Sequence, residues 1–546
     1  MATRTPHTAP SILRGPVGAV RRTVVRACAA CAGMAFALAP LAACGHADTG
    51  STALPRKTDV EVIAFQQPWN SIARECTQTY GPAGVAYVEI SPPQESIRGT
   101  QWWTSYQPVS YRLDSKLGTE KELAHMIEEC SAAGVGIIAD VVLNQTTGAG
   151  EDKELTGVAG TRYNPGTGSY PGFTGNEDQY PEGVNSHDFH DYNHGALISN
   201  YRDQDEVQQG RLSGMWDFDS SSAKVRDLQS DYLARLYRLG VRGFRMDAVK
   251  HIDAEDVKAL KQEMAKKIEV PEQDIYWIQE VIGNAGEAKG IQPSNYFDTG
   301  TVTQFAFAGA MKSNVPGSLN ALSDLRERLG DIKRNPYAIP TDKANVFVTN
   351  WDTERNGQAL SYKDGAAFAL ANAFLLAYDY GTPRLISDYR FTDNDAGAPG
   401  ATETSVPDVN FNEACATNDG PWNCEQRWTP TRGMIAFHNY VHGTAVDHWQ
   451  EGADAAVIAF SRTGKGFIAM NGGDEEAGVE FETSMPDGEY CNVYAVQDCS
   501  QTVRVRKGKV RTSVSARSAV ALYAGATAKA HPSSPVAVDP STPRQD

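Results

Sequence analysis

Short runs of β-branched and aromatic residues recur along the chain, and most are followed by a segment with helical periodicity. Eight strands that alternate with helices predict a (β/α)8 TIM barrel, in which the strands close into one parallel sheet. The helical pattern of segment 222–239, for example, is carried by Val225, Leu228, Tyr232, Leu233 and Leu236. The eight predicted strands are residues 60–65, 84–90, 134–142, 240–247, 275–281, 301–307, 345–349 and 374–380.

Two stretches depart from this alternation. Residues 145–213, between the third and fourth predicted strands, are rich in Gly, Asn, Asp, His and Tyr and lack clear periodicity. Such a stretch is too long for a plain connection and predicts an irregular domain inserted into the barrel. From 445 to 525 the pattern becomes short alternating runs without helices, which predicts an antiparallel β-sandwich. The barrel itself is therefore assigned to 59–144 and 214–444.

The two ends of the chain differ from the rest. Residues 1–43 contain five arginines and no acidic residue, and they end in an apolar stretch of signal-peptide length. The run Leu41-Ala42-Ala43-Cys44 resembles the bacterial lipobox, in which cleavage before the cysteine leaves a lipid-anchored N-terminus. An ordinary secretory signal is the alternative. We expect an exported protein with a linker at 44–58 and a disordered tail at 526–546.

Composition narrows the class of partner. The chain has 50 basic and 67 acidic residues, a formal charge of −17, and the 45 basic residues beyond the predicted signal leave −22. Such a surface argues against nucleic acid, because binding to a phosphate backbone needs a basic stripe. No apolar run of about 18 residues follows the first 45, so the only membrane contact predicted is a lipid on Cys44.

Six cysteines remain after the predicted signal and Cys44. An even number in an exported protein favours disulfides, although a zinc site is the alternative. The short spacings 415/424 and 491/499 suggest two local bridges and leave the first two cysteines for each other. The six are Cys76, Cys130, Cys415, Cys424, Cys491 and Cys499.

Acidic residues mark the ends of several predicted strands: Asp140, Asp247, Glu280 and Asp352. Reactive groups of a TIM barrel lie at the carboxyl ends of its strands, and glycosidic hydrolysis needs two carboxyl groups there. Arg245, two positions before Asp247, would hold the Asp247 carboxylate ionised, as a nucleophile requires. Glu280 follows an apolar strand, which would raise its pKa and suit a general acid.

Five ordered blocks carry a resemblance to a known family. They are Gln101-Trp102-Trp103 with Tyr106-Gln107-Pro108-Val109-Ser110-Tyr111, Asp140-Val141-Val142-Leu143-Asn144, Gly243-Phe244-Arg245-Met246-Asp247-Ala248-Val249-Lys250-His251, Gln279-Glu280-Val281-Ile282 and Phe347-Val348-Thr349-Asn350-Trp351-Asp352. Over residues 59–525 the chain resembles alpha-amylases of glycoside hydrolase family 13, in the group that holds animal and actinobacterial enzymes.

The resemblance implies a retaining endo-hydrolase of α-1,4-glucosidic bonds in starch, glycogen and maltodextrins, and we expect a monomer. Asp247 would be the nucleophile, Glu280 the acid/base, and Asp352 would bind the −1 sugar. Aromatic rings would stack on glucose, as the apolar faces of sugars prefer. The substrate-binding residues implied are Trp102, Trp103, Tyr106, Gln107, Gln145, Arg245, Lys250, His251 and Trp351.

Two ion sites and the disulfides follow from the same resemblance. Asn144, Gln209, Asp217 and the main-chain carbonyl of His251 match a structural calcium site, for which oxygen ligands are suited. Gln209 stands where relatives have Asp or Asn. Arg245, Asn350 and Arg384 match a chloride site, although Arg384 could instead pair with an acid such as Asp379 or Asp388. The cysteine pairs 76–130, 415–424 and 491–499 match family disulfides.

Two departures from the family pattern bear on activity. Gln145 and Trp351 replace histidines that normally bind the −1 glucose, and each lost contact costs about 1–3 kcal/mol if its partner stays unsatisfied. We therefore expect weaker catalysis or an altered substrate. One alternative is a transglycosylase or maltogenic enzyme that acts on short maltooligosaccharides. The other is a glucan-binding lipoprotein with weakened catalysis.

Overall fold

The computed structural model describes residues 58–417 and 419–528. Eight parallel strands form a closed barrel in which each strand pairs with the next one along the chain and β8 pairs with β1. The predicted TIM barrel is therefore confirmed. The strands are β1 (Glu61–Ala64), β2 (Tyr87–Ile90), β3 (Gly136–Val141), β4 (Gly243–Met246), β5 (Tyr276–Gln279), β6 (Thr301–Gln304), β7 (Ala344–Phe347) and β8 (Thr382–Ser387).

Several sequence-based predictions fall beyond these limits. The export signal at 1–43, the lipidated Cys44, all of the linker except Thr58, and the tail from 529 onward lie outside the described residues. Within 58–417 and 419–528, none of the helices combines the length and the apolar character needed to cross a membrane.

Helices surround the barrel and follow ordinary start and stop signals. Helix Glu120–Ala132 begins with a capping box, because the Thr119 hydroxyl accepts from the Glu122 amide and the Glu122 carboxylate accepts from the Thr119 amide. Helix Ala223–Leu239 ends at Gly240, whose φ of 113° few other residues adopt. The remaining α-helices are Trp69–Glu75, Gly81–Ala83, Gln204–Gln209, Ala254–Ile268, Phe305–Asn314, Leu325–Gly330, Trp351–Arg355, Ala366–Ala377, Phe411–Ala414 and Thr429–Val441.

The eighth strand lies later in the chain than the sequence predicted. Most of segment 374–380 belongs to helix Ala366–Ala377, and the true strand β8 begins after Gly381. The helix is buried from Ala367 to Ala377, so apolar residues surround it on all sides and leave no helical stripe to recognise. The prediction of a strand at 374–380 is therefore wrong.

The segment between β3 and β4 has little regular structure. Its strand Gln145–Gly148 pairs with Met215–Asp217, and this short sheet connects the two points where the segment leaves and rejoins the barrel. A second small sheet joins Leu155–Thr156 to Arg162–Tyr163. Aromatic rings supply the core that secondary structure does not: Tyr170, Phe173, Phe189 and Phe218 make edge and stacked contacts.

The C-terminal region is the predicted antiparallel β-domain, and it contains two four-stranded sheets. Two of its strands, Val446–Glu451 and Ala477–Glu482, carry many exposed polar residues. The first sheet contains Val446–Glu451, Val457–Arg462, Gly466–Asn471 and Ser518–Tyr523. The second contains Ala477–Glu482, Lys509–Val514, Thr502–Arg506 and Gly488–Cys491.

The cysteine pairing agrees with the disulfide prediction. The three bonds join Cys76 to Cys130, Cys415 to Cys424 and Cys491 to Cys499. Since all six sulfur atoms are in disulfides, none is a thiolate, and the zinc alternative is excluded for these cysteines.

Candidate active site

A cavity of about 380 Å³ opens at the carboxyl ends of the barrel strands. The three predicted catalytic acids, which lie far apart in the sequence, all line it. Its other walls come from the loop after β2 and from the segment inserted between β3 and β4. The lining residues are Trp102, Trp103, Tyr106, Gln107, Gln145, Leu212, Ser213, Met215, Asp247, Ala248, Glu280, Trp351 and Asp352.

Arg245, in strand β4, is buried beneath the cavity and connects its acids. One terminal nitrogen lies 2.8 Å from Asp140 Oδ1 and 2.8 Å from Asp247 Oδ1, and the other lies 2.9 Å from Glu280 Oε2. Asp247 and Glu280 are therefore brought to the two ends of one planar guanidinium. This geometry satisfies the requirement that both carboxyl groups face the same small space.

Burial raises the pKa values of three aspartates around Arg245 and the cavity. Burial raises the pKa of Asp247, the Arg245 charge opposes that rise, and the Glu280 charge adds to it. Arg245 therefore acts in the predicted direction, although its charge is shared among three acids. Burial also raises the pKa of Asp140 to about 8 and that of Asp352 to about 7. The cluster therefore binds protons near neutral pH.

Two side chains position the acids. The Tyr106 hydroxyl donates to Asp140 Oδ2 at 2.8 Å, and the Gln145 amide donates to Asp247 Oδ2 at 3.2 Å. Gln145 thus contacts the acid that the sequence assigned as nucleophile, while its own Oε1 has no partner among the described residues. The Gln107 side chain accepts from the Gly148 amide at 3.0 Å and fixes the inserted segment beside the cavity.

The aromatic wall contains both half-buried and buried rings. Trp102 and Trp103 are half-buried at the cavity, in the arrangement that a stacking surface needs. Trp351, in contrast, is only 3% exposed, because its ring stacks on Phe65 at 5.1 Å between centroids. Its other neighbour is the Arg245 guanidinium, 4.9 Å from the ring centre. Trp351 therefore covers this arginine rather than offering a polar group in place of a histidine.

Two predicted substrate-binding residues point elsewhere. Lys250 forms an ion pair with Glu287 at 2.6 Å, and the His251 ring donates from Nδ1 to the Val207 carbonyl at 3.0 Å. Burial lowers the pKa of His251 to about 4, so this ring is neutral at pH 7. Neither residue is among those that line the cavity. Their assignment to sugar binding stays a prediction; in this structure the two side chains contact the inserted segment and the loop after β5.

Part of the predicted calcium set fits a hard cation. Asn144 and Asp217 are 2% and 1% exposed, and among the described residues Asp217 Oδ1 and the Asn144 side-chain amide have no hydrogen-bond partner. A buried carboxylate oxygen without a partner is costly, and a cation bound to Asp217 Oδ1 would relieve that cost. The unpartnered Asn144 atom is an N–H donor, so it gives no such support. The Gln209 side chain is exposed, whereas that of its neighbour Gln208 is buried. The structure therefore does not favour Gln209 as a calcium ligand.

The predicted chloride set does not fit an anion. Arg384 donates to the Glu89 carboxylate and lies 3.5 Å from the Glu61 carboxylate, and neither Asp379 nor Asp388 is its partner. The Asn350 side-chain oxygen accepts from the Thr353 amide at 2.9 Å as a helix cap, whereas an anion would contact the N–H groups of that side chain. Arg384 is therefore paired with acids on β1 and β2, which argues against it as a free anion ligand.

The sequence did not single out Glu61 and Glu89, nor the cavity residues Leu212, Ser213 and Met215 of the inserted segment. A signal for the two acids does exist, since each interrupts an apolar strand. The inserted residues carry no comparable signal, because their segment lacks periodicity.

Comparison with known proteins places these features in a family. The model described as "Alpha amylase, catalytic domain" matches residues 91–383, and "Alpha amylase, C-terminal all-beta domain" matches 449–525. An alpha-amylase of Streptomyces violaceus is 37% identical over 509 residues, covering 93% of this chain and 80% of that protein. An alpha-amylase of Aeromonas hydrophila is 37% identical over 414 residues, covering 74% and 83%.

Solved structures agree. Wild-type alpha-amylase I from Eisenia fetida has a TM-score of 0.76 and 30% identity, with 87% of this chain and 99% of that chain covered. A mutant of the same enzyme, in complex with maltohexaose, has a TM-score of 0.76 and 29% identity, with 86% and 99% covered.

A barrel with a carboxylate cluster at this end defines a glycoside hydrolase. The chain belongs to the alpha-amylase family. It is an enzyme for the hydrolysis of α-1,4-glucosidic bonds in starch, and the comparisons do not favour the transglycosylase or binding-protein alternatives.

Proposed function

We propose that Asp247 is the nucleophile and Glu280 the acid/base of a retaining hydrolysis. In the first step the Asp247 carboxylate bonds to the anomeric carbon, the bond from that carbon to the leaving oxygen breaks, and Glu280 gives its proton to that oxygen. In the second step Glu280 takes a proton from water, the water oxygen bonds to the same carbon, and Asp247 leaves. Asp352 binds hydroxyl groups of the sugar at the point of cleavage.

The observation that carries this assignment is the joint contact of Asp247 and Glu280 with Arg245, beside a cavity that Asp352 also lines. Two carboxyl groups at opposite ends of one guanidinium stay close enough to act on a single bond. A retaining enzyme needs a separation of about 5–5.5 Å between them, and this value stays a prediction.

The substrate we propose is an α-glucan of several glucose units, cleaved internally. Trp102 and Trp103 provide stacking surface beside the acids, and aromatic rings suit the apolar faces of glucose. The solved relative in complex with maltohexaose supports an oligomeric ligand. Gln145 and Trp351 still predict weaker catalysis than a histidine-bearing site.

The test is a product profile of the purified protein on starch and on maltoheptaose. We expect internal cleavage with new reducing ends, its loss in Asp247→Asn, and full activity in the exposed control Asp395→Asn. Disproportionation ladders would replace this function with transglycosylation. Binding without new reducing ends would replace it with glucan binding alone.

We also propose a structural Ca²⁺ held by Asn144 and Asp217, with main-chain carbonyls such as that of His251 completing the set. Support comes from the buried Asp217 Oδ1, which has no hydrogen-bond partner among the described residues, and from the burial of Asn144 beside the same short sheet. When bound, the ion would link the inserted segment to the barrel through the pair Gln145–Gly148 and Met215–Asp217. Chelation should lower the melting temperature of the wild type and of Gln209→Ala but leave Asp217→Asn unchanged. Equal sensitivity of Asp217→Asn would remove this proposal.

Export is the third proposal. Three disulfides support an oxidising compartment. The lipobox-like run ending in Cys44 favours a cell-surface lipoprotein over a freely secreted monomer. Cys44→Ser should release the enzyme from membranes into the medium, and an unchanged distribution would leave ordinary secretion as the explanation.

A further inference from the structure

The interior of the barrel contains a second arginine that the catalytic account does not use. Arg384, in strand β8, is 2% exposed. Its terminal nitrogen donates to Glu89 Oε2 of strand β2, and its Nε lies 3.5 Å from Glu61 Oε2 of strand β1. Glu89 and Glu61 are 1% and 0% exposed. All three groups are thus removed from water, where a missing counter-charge is costly.

The two glutamates do not serve Arg384 equally. Glu61 also accepts from the Tyr276 hydroxyl and, at 3.1 Å, from the Asn345 amide, and burial raises its pKa to about 8. It is therefore largely neutral at pH 7. Glu89, in contrast, makes the direct hydrogen bond to the Arg384 guanidinium.

Glu89 also lies toward the catalytic cluster. Its charge contributes to the raised pKa of Asp140, which in turn contacts Arg245 at 2.8 Å. Around the two guanidiniums the chain thus places five carboxyl groups: Glu61, Glu89, Asp140, Asp247 and Glu280. An additional anion here would meet an excess of negative groups and find no uncompensated cation.

We infer that the Glu89 carboxylate is the permanent counter-ion of Arg384, and that this enzyme binds no chloride and works without it. The inference rests on the proposed function, because it concerns the surroundings of the same acids. Glu89 acts through Arg384 and Asp140 and is a positioning residue, since it does not line the cavity. The predicted chloride site is replaced by a side chain of the protein.

The first test compares wild-type kcat in chloride and in acetate at equal ionic strength. We expect less than about a twofold difference, because Arg245 and Arg384 both already contact carboxyl groups of the protein. Binding is measured separately, by the line width of ³⁵Cl and by crystals soaked in bromide. A loss of about tenfold or more without chloride, or a bound halide beside Arg384, would overturn the inference.

The second test creates the missing site. Glu89→Gln keeps the shape of the side chain but leaves Arg384 without its charge, so the variant should bind halide and gain about tenfold in kcat when chloride is added. The double variant Glu89→Gln/Arg384→Gln removes both charges and should be insensitive again. Glu128→Gln, on an exposed helix face, is the matched control and should behave as the wild type.

The outcomes separate this inference from the proposed function. If the wild type hydrolyses no α-glucan in any salt, the proposed function fails, while halide binding still decides the role of Glu89. If Glu89→Gln neither binds halide nor responds to it, the inference fails even in a fully active enzyme. Should that variant not fold, the wild-type measurements and the double variant decide the question.

Discussion

Aspartates lie at both ends of the barrel, but their pKa values are shifted in opposite directions. At the carboxyl ends of the strands, Asp247 and Asp352 stand among other acids, and their pKa values are raised. At the other end, before β1, Asp59 lies 2.8 Å from His438 Nε2 and 3.4 Å from His442 Nε2. These two imidazoles lower the pKa of Asp59 well below its usual range, although burial opposes them.

The difference lies in the number of partners rather than in burial alone. Asp59 has two potential cations for one acid, so its ionised form is favoured. Arg245 serves three acids at the catalytic end, so ionisation there costs free energy. We conclude that the end away from the cavity is built for stability, and that the catalytic end retains unfavourable charge because the chemistry requires both a proton donor and a nucleophile.

The largest expected effect is on chemistry. Glu280→Gln keeps the size of the side chain but removes its transferable proton, so kcat on maltoheptaose should fall by about 10²–10⁴-fold. The melting temperature should not fall, because one negative group leaves a crowded cluster. An active variant, or one that unfolds, would show that Glu280 supports the fold instead of the reaction.

The next largest effect is expected on the free energy of unfolding, through an acid at the catalytic end. The folded pKa of Asp352, about 7, lies above its unfolded value, so the folded protein holds the extra proton and loses stability as pH rises from about 4 to about 7. Asp352→Asn should remove this loss and stabilise the protein at pH 7 by about 1–4 kcal/mol, measured by urea unfolding. The gain should disappear near pH 4, and a gain independent of pH would contradict the electrostatic cause.

At the end of the barrel away from the cavity, replacement of an acid should destabilise the protein instead. Asp59→Asn should lower the free energy of unfolding by about 1–3 kcal/mol at neutral pH, because His438 and His442 lose their carboxylate partner. Asp395→Asn, an exposed control, should change it little. Activity on maltoheptaose should be retained, since Asp59 lies away from the cavity. If both Asp59→Asn and Asp352→Asn destabilise the protein, the contrast between the two ends is lost.

The barrel and its acids could be predicted from sequence because they depend on local signals. The strand run before Asp140, for example, shows its β-branched residues Ile137 and Ile138 directly, and an acid that follows such a run lies at the catalytic edge. The partners of Arg384 could not be predicted, because Glu61 and Glu89 meet it only through the register in which β8 closes onto β1. The exposure of Gln209 likewise depends on which face of its short helix points to solvent, and six residues without clear periodicity do not reveal that face.

The smallest expected effect concerns the pH range over which the Asp59–His442 pair stabilises the folded protein. Asp59 contributes stability above its unfolded pKa of about 3.9 and loses it as pH falls through its lower folded value. His442, whose pKa is raised first by its hydrogen bond to Asp59, contributes fully below about 6.5 and loses its contribution as pH rises through the folded value. The pair is therefore strongest in mildly acidic solution.

Replacement of His442 by Gln tests this range. Its side chain is 47% exposed, so solvent screens the pair and the expected loss is only about 0.3–1 kcal/mol near pH 5.5. Near pH 8.5 the wild type and the variant should unfold at nearly the same urea concentration, because His442 is then neutral in both the folded and the unfolded wild type. An equal loss at both pH values would mean that His442 contributes by packing against His438 and not by charge, and the Asp59 end would then owe its stability to His438 alone.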